Sequence, residues 1–95
     1  MLDTTQTTGT TADVISVLRL TPLNATTRMI TIKSVRRLRE VLAGGPDIPA
    51  DAFFAAAETA TPELRAQMGD RHSQILSDVK RAKRAWNDTF RRELV

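Results

Sequence analysis

The last third of the chain, residues 61–95, has the sequence pattern of one long amphipathic helix. It opens with Thr61-Pro62-Glu63, in which a hydroxyl can cap free N–H groups, a proline occupies the first position and a carboxylate lies near the positive end of the helix dipole. The rest of the segment contains no proline. Apolar residues then recur at helical intervals, which place them on one side at about 100° per residue. They are Leu64, Met68, Ile75, Val79, Ala82, Trp86, Phe90 and Leu94. A helix of this kind has to bury one side.

The rest of the chain offers that helix only a small core. Its 95 residues suffice for one domain, and 41% apolar with 26% charged residues is typical of a globular protein. Because aromatic residues make up only 4% of the chain, we expect a homo-oligomer, with a dimer favoured, to bury further apolar surface. Cysteine is absent, which excludes disulfides and thiolate metal sites.

The N-terminal segment differs in composition from the rest of the chain. Residues 1–12 contain six threonines and lack the basic start and apolar run of a secretory signal. We therefore predict a flexible Thr-rich tail at 1–12 and a single small domain at 13–95. No apolar stretch reaches the roughly 20 residues of a membrane helix, so we expect no membrane partner. The expected location is the cytoplasm or a viral particle.

Two segments before the long helix have strand-like patterns. Residues 13–20 (DVISVLRL) are rich in β-branched residues, and residues 28–33 (RMITIK) alternate, with Ile30 and Ile32 on one face. Short helices are predicted at 34–43, capped by Ser34 and ended by Gly44-Gly45-Pro46, and at 49–60. The predicted fold is mostly α with a minor β element: a short N-terminal β-hairpin or β-ribbon, two short helices and one long C-terminal amphipathic helix.

Charge is segregated along the chain, although the net charge is only +3. Residues 28–39 hold five basic residues and no acid, residues 47–63 hold four acids and no base, and residues 80–92 hold six basic residues against Asp88 alone. Segregation of this kind suggests a polyanion-binding surface, an acidic-to-basic contact between subunits, or both.

The second basic block gives the main candidate site. On a helical wheel its cations cluster opposite the apolar line and extend over about 18 Å, enough to follow several phosphates. The candidate nucleic-acid contacts are Lys80, Arg81, Arg84, Arg91 and Arg92, with Arg36, Arg37 and Arg39 as a second patch. Surface ion pairs with Asp78 or Asp88 are the alternative use of these charges. The apolar line, assigned to the core or an oligomer interface, comprises Met68, Ile75, Val79, Trp86 and Phe90.

Two resemblances in outline point to nucleic acid. A strand at 28–33, a capped helix, a glycine turn and a further helix resemble the ribbon-helix-helix DNA-binding fold, which implies Met29, Thr31 and Lys33 as base contacts. The long, proline-containing loop at 44–49 and the long third helix depart from that family. The short helix and long basic helix within 46–92 are similar to the silencing suppressors of nodaviruses, which implies binding along double-stranded RNA.

Groups for catalysis are scarce. The only histidine, His72, lies in the apolar line, and Gly44-Gly45 lacks the lysine of a phosphate loop. We therefore expect no enzyme, no metal, no cofactor and no small-molecule substrate. The function expected is sequence-independent nucleic-acid binding, with RNA and DNA both open. The alternative is a structural or assembly protein, such as a viral or phage particle component or a helical adaptor.

Overall fold

The computed structural model describes residues 9–42 and 47–94, and only the backbone for residues 90–94. Five α-helices lie in these ranges: α1 Thr11–Leu20, α2 Ala25–Leu42, α3 Ala50–Thr59, α4 Pro62–Met68 and α5 His72–Leu94, with a 3₁₀ turn at Gly69–Arg71. The described part contains no strand, only an isolated β-bridge between Thr10 and Pro49. None of its helices has the length and apolar character to cross a membrane.

The strand predicted at 13–20 is wrong, because these residues belong to α1. Val14, Ile15 and Leu18 are buried at helical spacing, and the backbone N–H of Thr10 donates to Asp13 Oδ2 at 2.9 Å at the start of the helix. A β-branched residue costs a helix at most about 0.7 kcal/mol. Burying one such side chain contributes about 1.5–3 kcal/mol, so packing outweighs propensity.

Of the predicted tail, residues 1–8 lie outside the described residues, whereas Thr11 begins α1.

The strand predicted at 28–33 is also wrong, because these residues belong to the 18-residue helix α2. The helix predicted at 34–43 is confirmed over 34–42, but it is the second half of α2 and not a separate element, and residue 43 lies outside the described residues. Asn24 begins it by accepting a hydrogen bond from the Thr27 N–H at 2.8 Å. The buried positions of α2 are Thr31, Ser34, Val35 and Leu38, a helical stripe. Ile30, predicted to share one strand face with Ile32, is 42% exposed on α2. The β-ribbon on which the ribbon-helix-helix resemblance depended is therefore a helix, and its Gly44-Gly45-Pro46 turn lies outside the described residues.

The C-terminal third is helical but divided. Its start is as predicted, since the Leu64 N–H donates to Thr61 Oγ1 at 3.2 Å. The prediction of one unbroken helix over 61–95 is wrong, because α4 stops before Gly69, which has φ +80° and ψ −155°. Glycine adopts this conformation readily and other residues do not. The predicted helix at 49–60 corresponds to α3.

The core forms where α1 and α3 meet the most extensive helix pair, α2 and α5. Side-chain hydrogen bonds join Ser34 to Asp78 and Thr31 to Arg81, so the two helices run antiparallel. Four residues of the predicted apolar line are buried in this single-chain core: Met68, Ile75, Val79 and Trp86. The side chain of Phe90 lies outside the described part. The apolar line thus packs against its own domain, which directs the polar side of α5 outward.

Candidate nucleic-acid interface

A buried carboxylate joins α2 to α5. Asp78 is only 1% exposed, and its oxygens accept hydrogen bonds from Ser34 Oγ at 2.6 Å, Gln74 Nε2 at 3.0 Å and Arg81 Nη1 at 3.1 Å. The same Arg81 nitrogen donates to Thr31 Oγ1 at 3.0 Å. A buried charge needs such partners, and the two contacts that cross between the helices, Ser34 to Asp78 and Arg81 to Thr31, hold them in one register. We call Thr31, Ser34, Gln74, Asp78 and Arg81 the Asp78 network.

Arg81 is held on the side of α5 that meets α2, not fully on its outer side. Its side chain is 32% exposed, and its ion pair with Asp78 is the i,i+3 alternative that the sequence left open. Lys83 of the same basic block pairs with Glu58 of α3. Two cations of the block therefore serve contacts within the fold. The remaining two whose side chains are described, Lys80 and Arg84, are exposed.

An open groove of about 510 Å³ lies between α2 and the beginning of α5. Lys33 and Arg37 line it from α2, and Arg71 lines it from the 3₁₀ turn. Its remaining lining residues are Ile30, Ser34, Met68, Asp70, Gln74, Ile75 and Asp78. Arg37 also pairs with Glu40 at 3.4 Å, but both side chains are at least half exposed and such pairs contribute little. The groove therefore brings together cations from two separate parts of the chain.

Arg84 extends this basic surface along α5. It follows Arg81 by three residues, which places both on neighbouring positions of one helix side. Lys80 lies nearer α3, where it lines a small depression with Phe54 and Glu58. Arg91 and Arg92 belong to the last turns of α5, and their side chains lie outside the described part.

The predicted second patch is dispersed. Arg37 lines the groove, Arg39 is half-buried and Arg36 borders a different depression that also contains Arg28. Arg28 itself closes the end of α1: its Nε donates to the Leu18 carbonyl at 3.2 Å, and its Nη2 donates to the carbonyls of Thr21 and Leu23 at 2.8 and 2.9 Å. Arg28 is therefore a structural residue.

Five basic residues of α2, the 3₁₀ turn and α5 form what we call the α2–α5 face. Lys33, Arg37 and Arg71 line the groove, and Arg81 and Arg84 follow along α5. Sequence reasoning missed Arg71 altogether and assigned Lys33 only to a ribbon, since nothing local shows that these two residues share a groove. From Arg71 in the 3₁₀ turn to Arg84 on α5 the face extends about 20 Å at about 1.5 Å per residue. Within the described part of the chain, Lys33, Arg71 and Arg84 have no carboxylate within 4.0 Å.

The arrangement suits an extended anion. Three exposed cations without a carboxylate partner in the described residues lie on α2, on the 3₁₀ turn and on α5, and the Asp78 network holds α2 and α5 together. Comparison with known proteins adds no constraint, because no protein-family model, curated protein or solved structure matches this chain significantly.

Proposed function

We propose that the protein binds the phosphate backbone of nucleic acid, without sequence preference, through the α2–α5 face. The observation that carries the proposal is that Lys33 and Arg71 line one groove and Arg84 follows further along α5, all three exposed and without a carboxylate partner among the described residues. A phosphate that binds there releases condensed counterions, which is the main source of affinity in non-specific binding.

The width of the face favours contacts with phosphates over contacts with bases. One α-helix with its side chains is about 10–12 Å across, so α2 and α5 side by side cover about 20 Å. The major groove of B-DNA is about 12 Å wide and admits one helix. The face therefore lies across the backbones, and contacts of that kind position a protein without reading sequence.

The number of phosphate contacts determines how steeply the binding constant falls with salt concentration. Among the side chains that the structure describes, the available contacts on the face are Lys33, Arg37, Arg71 and Arg84; Arg81 is left out because Asp78 already holds it. Four phosphate contacts on duplex DNA correspond to a log–log slope of about −3.6.

Fluorescence anisotropy with a labelled DNA duplex over a series of salt concentrations tests this. Arg84→Glu and Arg71→Glu should each weaken binding by about tenfold, because each removes one phosphate contact and adds a repulsive charge. Arg65→Glu is the matched control: it makes the same change in net charge at an exposed position of α4 outside the face. If the control weakens binding as much as the face variants, or if binding is insensitive to salt, the α2–α5 face is not the binding surface.

Exposed aliphatic side chains favour the second candidate function, a structural or assembly role. Leu20 and Met29 are 86% and 55% exposed, and buried apolar surface is what subunit contacts commonly use. Under this alternative, Met29→Lys would shift the oligomer distribution in sedimentation while nucleic-acid binding stayed absent in both proteins. Under the nucleic-acid proposal, the same variant would bind with at least wild-type affinity.

A further inference from the structure

We infer that the α2–α5 face selects duplexes over single strands, an inference that rests on the proposed function. Its first support is the location of the aromatic rings. Phe53, Phe54 and Trp86 are all buried, so the side chains that the structure describes expose no aromatic ring. Proteins that bind single strands commonly stack successive bases on exposed aromatic side chains. Here the exposed large apolar residues are aliphatic: Leu20, Met29 and Ile30.

The second support is that the cations form two rows. Lys33 and Arg37 line the groove from α2 and form one row. Arg71, which lines the opposite side from the 3₁₀ turn, and Arg84, which lies further along α5 beyond the groove, form the other. Packed helices have axes about 8–10 Å apart. A duplex presents two lines of phosphates across a groove, about 6 Å wide for the minor groove and about 12 Å for the major groove of B-DNA. Each row can therefore contact a different strand, whereas a single strand offers only one line of phosphates.

The third support is rigidity. The hydrogen bonds from Ser34 to Asp78, at 2.6 Å, and from Arg81 to Thr31, at 3.0 Å, cross between the two helices and fix them in register. The rows therefore keep their spacing and cannot move together to follow one flexible strand. Duplex RNA is recognised largely through shape and backbone contacts, so the same surface serves duplex RNA and duplex DNA.

The test compares four labelled probes of equal length in anisotropy titrations at one moderate salt concentration: duplex DNA, duplex RNA and an unstructured single strand of each. We expect at least one duplex to bind at least tenfold more tightly than either single strand. Single strands that bind within threefold of both duplexes, or more tightly, would overturn the duplex inference and leave the proposed function standing. Absence of binding to all four probes at low salt would overturn the proposed function itself.

Variants of the two rows supply a second readout. Lys33→Glu changes the α2 row and Arg84→Glu changes the α5 row, and both side chains are exposed. On the duplex each should weaken binding by about tenfold, and the double variant should show close to the product, because well-separated sites act independently. If Lys33→Glu changes duplex affinity less than twofold, the two-row arrangement is refuted. The emission of Trp86, the single tryptophan, reports whether each variant is folded.

Discussion

Replacing Asp78 by alanine is expected to be the most damaging single change between α2 and α5. The substitution removes the acceptor for Ser34, Gln74 and Arg81 at once. It also leaves the Arg81 guanidinium without its ion-pair partner. The loss should therefore exceed that of a single neutral hydrogen bond, which is about 0.5–1.5 kcal/mol.

The loss of stability in Asp78→Ala depends on how far water can reach each group that loses its hydrogen-bond partner. Breaking a fully buried ion pair costs about 3–5 kcal/mol, but Arg81 is 32% exposed and water can hydrate it, which reduces the cost. Ser34 can instead donate to a carbonyl of its own helix, as the Thr31 hydroxyl does to Thr27 O at 2.7 Å. We therefore expect a loss of about 2–4 kcal/mol from a total stability on the order of 5–15 kcal/mol. At about 4–8 °C per kcal/mol, Tm should fall by roughly 8–32 °C.

Urea unfolding measured by tryptophan fluorescence is the appropriate assay. Trp86 is the only tryptophan and is 4% exposed, so its emission reports the loss of the core. Asp78→Asn keeps the volume and one acceptor atom and should lose less, about 1–2 kcal/mol. Asp88→Ala, an exposed carboxylate on the same helix, is the control and should remain within about 0.5 kcal/mol of wild type.

Two outcomes would refute the reasoning. If Asp78→Ala loses no more stability than Asp88→Ala, the network does not hold the helix pair. If Asp78→Leu is more stable than wild type, removing the carboxylate from water costs more free energy than its hydrogen bonds contribute, as happens for some buried ion pairs.

Three further substitutions probe other parts of the fold by the same urea assay. Gly69→Ala should lose about 1–3 kcal/mol, because φ is +80° at this position. The space around the added Cβ is open, so the loss comes from the backbone alone, and a wild-type urea midpoint would show that the backbone relaxes. Gly9→Ala should lose about 1–3 kcal/mol and shift the Trp86 emission, since the added Cβ would clash with Trp86 Cη2; unchanged emission would contradict that contact. Arg28→Lys keeps the charge but loses the planar fork that caps α1, so a loss of about 1–2 kcal/mol is expected, and no change would mean that water replaces the guanidinium at those carbonyls.

The sequence predicted helices where large apolar residues repeat at helical spacing. It identified the start at Thr61 and the segment that forms α3, and it predicted a helix through α5. It failed for α2 because the buried stripe of that helix includes polar residues. Thr31 and Ser34 receive hydrogen-bond partners across the helix pair from Arg81 and Asp78, which are 50 and 44 positions away. The residues next to them in the sequence do not reveal those partners, so the alternation of apolar and polar residues at 28–33 (RMITIK) predicted a strand.

The same limit explains the candidate site. Arg81 and Arg84 belong to one basic run, and the pairing of Arg81 with Asp78 could be anticipated from their spacing. The burial of Asp78 could not be anticipated from spacing, and it changes a weak surface ion pair into a fixed contact. Lys33 and Arg71 likewise line one groove only after α2 and α5 have packed. The local sequence shows which charged residues are present, whereas tertiary packing determines which of them are exposed.

Affinity and duplex preference should therefore depend on different parts of the molecule. Affinity comes from the number of exposed cations, which Asp78→Asn leaves intact, and loss of the buried negative charge releases Arg81 for phosphate contact. Duplex preference depends on the fixed spacing of the two rows, which the Asp78 network maintains. We expect folded Asp78→Asn to bind duplexes at least as tightly as wild type but single strands several-fold more tightly, because Arg81 is freed and the helix pair is looser. Anisotropy with both probes at a temperature where the variant is fully folded measures the ratio, and an unchanged duplex-to-single-strand ratio would contradict the role given to the network.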